Sequence, residues 1–167
     1  MHKESPVVLG IDPGTSRIGY GAVTIESGKT QCVGYGLIEP DELDPAKRLA
    51  RIEREIKELT RRFNPKSAAV EKLFFSKNKK TAIAVAQARG AILAALSESG
   101  IPVVELSPAD AKAGVTGYGN AAKPEVETMV RRMLGFGNEK IIDDTIDALA
   151  LAITAAYGEK MRNAGRD

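Results

Sequence analysis

The segment VVLGIDPGTSRIGYGAVTI, residues 7–25, climbs through aliphatic side chains to Asp12, breaks at Pro13-Gly14 and resumes as a second apolar stretch. Short apolar runs bounded by turn residues predict a buried strand over 7–12 and another over 18–25. Aspartate is almost never buried without a partner, so Asp12 at the end of such a strand requires either a hydrogen-bonded turn or a cation. Gly10, Gly14, Gly19, Gly21, Gly34 and Gly36 crowd the same region. They predict a sheet that carries bulges or that another backbone approaches closely.

Outward from this segment, the turn at Ser27-Gly28 leads into a third strand over 31–38, antiparallel to the second. Asp44-Pro45 reads as an N-cap followed by proline in the first turn. Leu49, Ile52, Ile56, Leu59 and Phe63 then form a helical stripe that ends at Asn64-Pro65. SAAVEK (67–72) predicts a short buried strand, and Thr81 to Ser97 a second helix closed by Gly100. IPVVEL (101–106) is a further strand, and SPAD (107–110) has the proline and the S-x-x-D pattern of a helix start. GVTGYGNAAK reads as a glycine-rich loop, followed by helices over Pro124–Leu134 and Asp143–Tyr157. The expected fold is α/β: a five-stranded mixed sheet, three antiparallel strands followed by two parallel ones reached by right-handed crossovers, flanked by helices. One domain over 1–157 and a polar, flexible tail over 158–167 are expected.

Composition narrows the chemistry. The chain has 167 residues, 43% hydrophobic and 28% charged, the balance of a soluble globular domain. No apolar run reaches the ~20 residues of a membrane helix, and MHKESP has no apolar stretch behind a basic start, so no export signal is expected. The single cysteine, Cys32, excludes an internal disulfide and suits a reducing cytoplasm. The single histidine, His2, leaves no histidine-based triad or zinc site. A net charge of +2 does not by itself argue for nucleic acid.

Carboxylates are what remain. Asp12 ends the first strand, Glu71 ends the strand at 67–72, and Asp144 and Asp147 interrupt IIDDTIDALALAITAA, a helix otherwise composed for burial. Asp144 and Asp147 share a face with Ala148 and Leu151, although spacing does not choose between Asp143 and Asp144. If strands 7–12 and 67–72 lie side by side and parallel, Asp12 and Glu71 emerge at the strand ends where open α/β sheets place ligands. Carboxylates brought that close repel one another, and divalent cations relieve the repulsion. Four carboxylates suit two Mg²⁺ ions about 3.5–4 Å apart, as in phosphodiester hydrolysis.

Five motifs, in order, resemble the RuvC family of Holliday-junction resolvases: GIDPGTSRIGYG, VEKLFFSKN, AQARGAILAA, VTGYGNAAK and DDTIDALALAI, across roughly residues 7 to 157. The resemblance implies an RNase H-like fold and a homodimer that binds four-way DNA junctions. It implies paired, symmetric nicks in strands of like polarity, dependent on Mg²⁺ or Mn²⁺, and association with a branch-migration helicase complex. It assigns Asp12, Glu71, Asp144 and Asp147 to metal binding and catalysis, Lys112 and Lys123 to DNA, and Phe74 to stacking on a junction base. KLFFSKNKK supports this from the residues themselves, since it interleaves Phe74 and Phe75 with Lys72, Lys77, Lys79 and Lys80. Aromatic rings stack on bases and lysines neutralise phosphates.

Two rival readings share the opening motif. ATP-binding folds of the actin and sugar-kinase type need a second phosphate loop, which is missing here. The other signature segments of YqgF-like RNase H-fold proteins are not recognisable, whereas the phenylalanine-lysine segment and the DALALAI helix are. AIAVAQARGAILAAL (82–96) has only Gln87 and Arg89 as polar members. A helix apolar on every face must be covered on every face, so Ala84, Ala88, Ala91 and Ala95 are expected to meet the same helix of a second copy across a two-fold axis.

Overall fold

The computed structural model describes residues 5–73 and 79–165. Strands β1 (Val8–Asp12), β2 (Ile18–Glu26) and β3 (Lys29–Ile38) form an antiparallel meander. Strands β4 (Ser67–Glu71) and β5 (Val103–Leu106) continue the sheet in parallel from β1, in the order β3-β2-β1-β4-β5. This is the expected mixed sheet. Ser27 and Gly28 both adopt positive φ, at 50° and 81°. Two such residues give the hairpin turn whose twist matches that of its strands.

The helices begin where their caps predict. In α1 (Pro45–Phe63) the Asp44 carboxylate accepts from the Lys47 amide at 3.0 Å, and Ile52, Ile56, Leu59 and Phe63 turn inward. α3 (Pro108–Thr116) opens on a reciprocal capping box between Ser107 and Asp110. α2 (Lys79–Glu98), α4 (Lys123–Leu134) and α5 (Asp143–Ala164) complete the chain.

Strand alternation sorts the side chains into two cores. Leu9, Ile11, Ala68 and Val70 point to α1 and α2, where Ile52, Ile56, Ile92 and Leu96 meet them. Val8 and Ala69 point to the other face, covered by Leu149, Ala152 and Ile153 of α5 with α3 and α4 beside it. On that face α5 lies directly on the strand backbone. A Cβ at Gly10 would sit 2.0 Å from the Ala148 carbonyl oxygen, and one at Gly19 would sit 1.9 Å from that of Asp144. Glycine is a packing requirement at both positions.

Three expectations are corrected. The glycine-rich stretch is not all loop: α3 runs to Thr116 and packs Gly114 against Thr154, so only the residues from Gly117, at φ 92°, form the turn. α5 passes Tyr157 and continues to Ala164, because Glu159, Lys160, Met161 and Arg162 are good helix formers. The Tyr157 hydroxyl, 2.9 Å from that of Thr30, ties the helix to β3 just before this extension. Finally, α2 does not turn the expected alanines outward. Ala88 and Ala95 are 3% and 0% exposed within the protomer's own core, and Ala84 and Ala91 are half-buried. Packing of α2 against α1 and the sheet takes up that face. The stripe left outside is Ile83, Gln87, Gly90 and Ala94.

Candidate active site

The parallel register pairs Gly10 with Ala69 and Ile11 with Val70, so Asp12 and Glu71 follow at the same end of adjacent strands. Alternation puts both on the α5 side, in line with Val8, Gly10 and Ala69. Asp12 also stands opposite Gly19 of β2, the residue on which the first turn of α5 rests at Asp144. One turn on, Asp147 leans toward β4. It lines a cleft of ≈ 200 Å³ with Glu71, Lys112 of α3 and Lys123 of α4. The helix crossing therefore brings Asp144 to the β2 side of the strand ends and Asp147 to the β4 side.

Burial and mutual repulsion couple these carboxyls to one another. Burial, then the charges of Glu71, Asp147 and Asp144, push the Asp12 carboxyl up to about 8, against the pull of Lys123. Burial and Asp147 raise Glu71 to about 7, opposed by Lys112 and Lys123. Asp147 is raised as well, by burial first, with Asp143 and Asp144 adding to it and Lys123 and Lys112 opposing. Carboxyls pushed upward by burial and by one another, two of them lining a cleft, mark a site built for something other than stability.

Asp143 reaches this group through its charge on Asp147. It is exposed and lies 3.9 Å from the Lys123 ammonium. Two arginines to which the sequence assigns no role, although they lie within the motifs GIDPGTSRIGYG and AQARGAILAA, also border the site. Arg17, in the β1–β2 turn, places its Nε 3.2 Å from Oδ2 of Asp144. Arg89 of α2 donates from Nε to the Glu71 carbonyl at 3.0 Å and pairs with Glu105, which clasps the ends of β4 and β5. A carboxylate on the neighbouring strand was the one available signal for Arg89. Phe74 and Lys77 lie outside the described residues.

The donor set is all carboxylate oxygen, the chemistry that hard divalent cations take, and its mutual repulsion is what a cation relieves. In that sense the residues fit a metal. Among the described residues no three Asp, Glu, His or Cys side chains converge on one point, so an ion has to draw the oxygens together. The Coulombic coupling, which acts over several Å, and the lack of convergence are compatible on that basis.

A mixed sheet of this order, with acids at the ends of its central pair of parallel strands and an acid-bearing helix laid across them, defines an RNase H-like fold of the kind used by nucleases. The model of the family described as Crossover junction endodeoxyribonuclease RuvC matches residues 8–155. The chain belongs to this family. A crossover junction endodeoxyribonuclease RuvC from Moorella thermoacetica is 47% identical over 151 residues, 90% of either chain. The one from Syntrophomonas wolfei is 44% identical over 155 residues, 92% of this chain and 90% of that one. Thermus thermophilus RuvC in complex with Holliday junction substrate superposes with a TM-score of 0.86 at 36% identity, covering 94% of this chain and 96% of that one. The yeast mitochondrial Holliday junction resolvase Ydc2, 16% identical with a TM-score of 0.66 over 97% of this chain and 86% of that one, shares the fold.

Proposed function

We propose that this chain resolves four-way DNA junctions by paired, symmetric nicks, with Asp12, Glu71, Asp144 and Asp147 as the metal-holding catalytic set. The observation that carries the reading is that β1, β4 and α5 bring Asp12, Glu71 and Asp147 close enough to perturb one another, beside a cleft that Glu71 and Asp147 line with two lysines. Family membership supports it. Mg²⁺, two ions per site with Mn²⁺ as substitute, supplies Lewis acidity at the scissile phosphate and an acidified water when bound. Asp12 and Glu71, fixed on strand ends, orient the site. Asp147, on α5, closes it from the β4 side. Lys112 and Lys123 hold the backbone phosphates that the acids would otherwise repel, and Phe74 and Lys77 are the further DNA contacts of this reading.

A junction cut symmetrically needs two such sites, so the working form is a homodimer. Its face on α2 is the stripe of Ile83, Gln87, Gly90 and Ala94, which the protomer leaves uncovered. A branch-migration helicase complex is the accompanying partner, and the cytoplasm the compartment. Among the described residues no helix is long and apolar enough to cross a membrane. The test is nicking of a four-way junction, a linear duplex and structured RNA, each with and without Mg²⁺. Mg²⁺-dependent paired cuts in the junction alone are expected, and equal cutting of the duplex would overturn the reading.

A further inference from the structure

Arg17 is the feature of the site that the nuclease reading leaves unused. Its guanidinium pairs with Asp144, yet it is 50% exposed and Asp144 is 31% exposed. An ion pair this open to water is weak and exchangeable. Its placement is nonetheless built in. A Cβ at Gly14 would sit 2.1 Å from the Arg17 carbonyl oxygen, so the turn after Asp12 folds tightly back on itself. A Cβ at Gly19 would strike the Asp144 carbonyl, so the first turn of α5 rests on the start of β2. Two positions without a side chain thus bring the turn that follows one acid against the helix that carries another. The helix dipole does not account for the contact, since a cation at a helix N-terminus is disfavoured. The Asp144 carboxylate is what Arg17 answers.

We propose that Arg17 is the exchangeable counter-ion of Asp144. In the protein without metal and DNA it neutralises this carboxylate and draws it toward β2, away from convergence with Asp12 and Asp147. When cation and DNA arrive, Asp144 turns to the metal and the guanidinium passes to a phosphate of the bound strand, for which its planar donor fork is suited. Arg17 is a positioning residue in this account. It competes with the metal before DNA binds and links the two binding events afterwards, so each ligand tightens the other reciprocally. The inference rests on the metal-holding role of the carboxylates.

The test measures Mn²⁺ binding by electron paramagnetic resonance in DNA-free wild type, Arg17→Gln, Arg17→Lys and Asp12→Asn. Arg17→Gln should bind Mn²⁺ about two- to fivefold more tightly, the range an exposed ion pair supports. Arg17→Lys, which keeps the charge, should return toward wild type. Fluorescence anisotropy with a labelled junction then reads the second half. Ca²⁺, too large for the octahedral geometry that Mg²⁺ demands, should tighten wild-type binding more than that of Arg17→Gln. Unchanged or weaker Mn²⁺ binding by Arg17→Gln overturns the counter-ion role. If Asp12→Asn loses Mn²⁺ while Arg17→Gln matches wild type, the carboxylate reading stands and only the Arg17 role falls. Undiminished Mn²⁺ binding by Asp12→Asn overturns the carboxylate reading itself.

Discussion

The two faces of the central sheet are made by the same two strands and do opposite work. Toward α1 and α2, β1 and β4 present Leu9, Ile11, Ala68 and Val70, all fully buried among aliphatic partners. Toward α5, the alternate positions are Val8, Gly10 and Asp12 on one strand and Ala69 and Glu71 on the other. One face removes apolar surface from water, the dominant favourable term in folding. The other gives up side-chain volume at Gly10 to seat a helix, and ends in carboxyls that burial and mutual repulsion drive to about 8 and about 7. A period of two lets neighbouring residues carry stability and chemistry separately, so damage to either should leave the other intact.

The largest effect is expected from breaking the charged face alone. Asp12→Asn should lower the rate of junction nicking at saturating Mg²⁺ by at least about 10³-fold, as loss of one member of a catalytic set that acts as a unit does. It should also raise the melting temperature of the metal-free protein at pH 8, because a repelled charge has gone. A gel assay of labelled junction and a thermal melt check the two halves. A variant that cuts normally would remove Asp12 from the site.

Next in size is the same experiment on the apolar face. Ile92→Ala removes a fully buried side chain opposite the sheet and should destabilise the fold by about 2–5 kcal/mol. Nicking per folded molecule, measured well below the melting temperature, should not change. Ala88→Glu belongs to this class: with Ala88 only 3% exposed inside the protomer, the charge should unfold the chain rather than yield a folded monomer. Sedimentation beside circular dichroism distinguishes those outcomes.

The contrast between the faces also explains what the sequence made legible. Asp12 and Glu71 stand out because each breaks an apolar run at its end, while the parallel pairing that joins them is open in the sequence and is supplied by the register of β1 and β4. Asp44-Pro45 and Ser107–Asp110 marked helix starts correctly because capping is local chemistry. The inward direction of α2 was not legible, since a helix apolar all round carries no periodic signal for which side meets the sheet. Gly114 read as loop because propensity does not reveal that Thr154 leaves no room there for a side chain. Arg17 carried no signal for a related reason: its partner Asp144 is remote in sequence, and only the fold brings the two to 3.2 Å.

A smaller effect follows from the acid set in its resting state. In the unfolded chain Asp12 and Glu71 titrate near 4. In the folded chain they hold their protons up to about 8 and about 7. Between pH 4 and 8 the native state binds more protons than the unfolded state, so stability falls as pH rises through that window. Asp110 and Glu125 are shifted the other way, and their stabilisation is lost only as pH falls through their lowered values, so the interval from pH 5 to 8 reports the acid set. The metal-free protein should melt about 5 °C or more lower at pH 8 than at pH 5, equivalent to on the order of 2 kcal/mol for a chain of this size. Saturating Mg²⁺ should flatten the dependence by holding the ionised forms. A metal-free protein equally stable at both values would mean that the charged face is solvated.

The smallest effect sharpens the comparison with a single charge on each face. Lys123 lowers the carboxyl pKa of Asp12, Glu71 and Asp147, while its own side chain remains exposed beside Asp143. Under the proposed function, a lysine placed so serves the acids and a phosphate in turn. Lys123→Gln should weaken junction binding a few-fold at low salt and reduce the slope of log K against log salt by about 1, the signature of one lost phosphate contact. It should also carry the alkaline end of the metal-free stability change to higher pH, because the acids lose a charge that favoured their ionisation. Lys57 sits on the other side of the sheet, paired to Glu53 of its own helix α1 and to Glu98 at the end of α2. Lys57→Gln should leave both the salt slope and the pH dependence unchanged. If the two variants shift the salt slope equally, DNA does not distinguish the faces, and the cleft between α3, α4 and α5 is not its path.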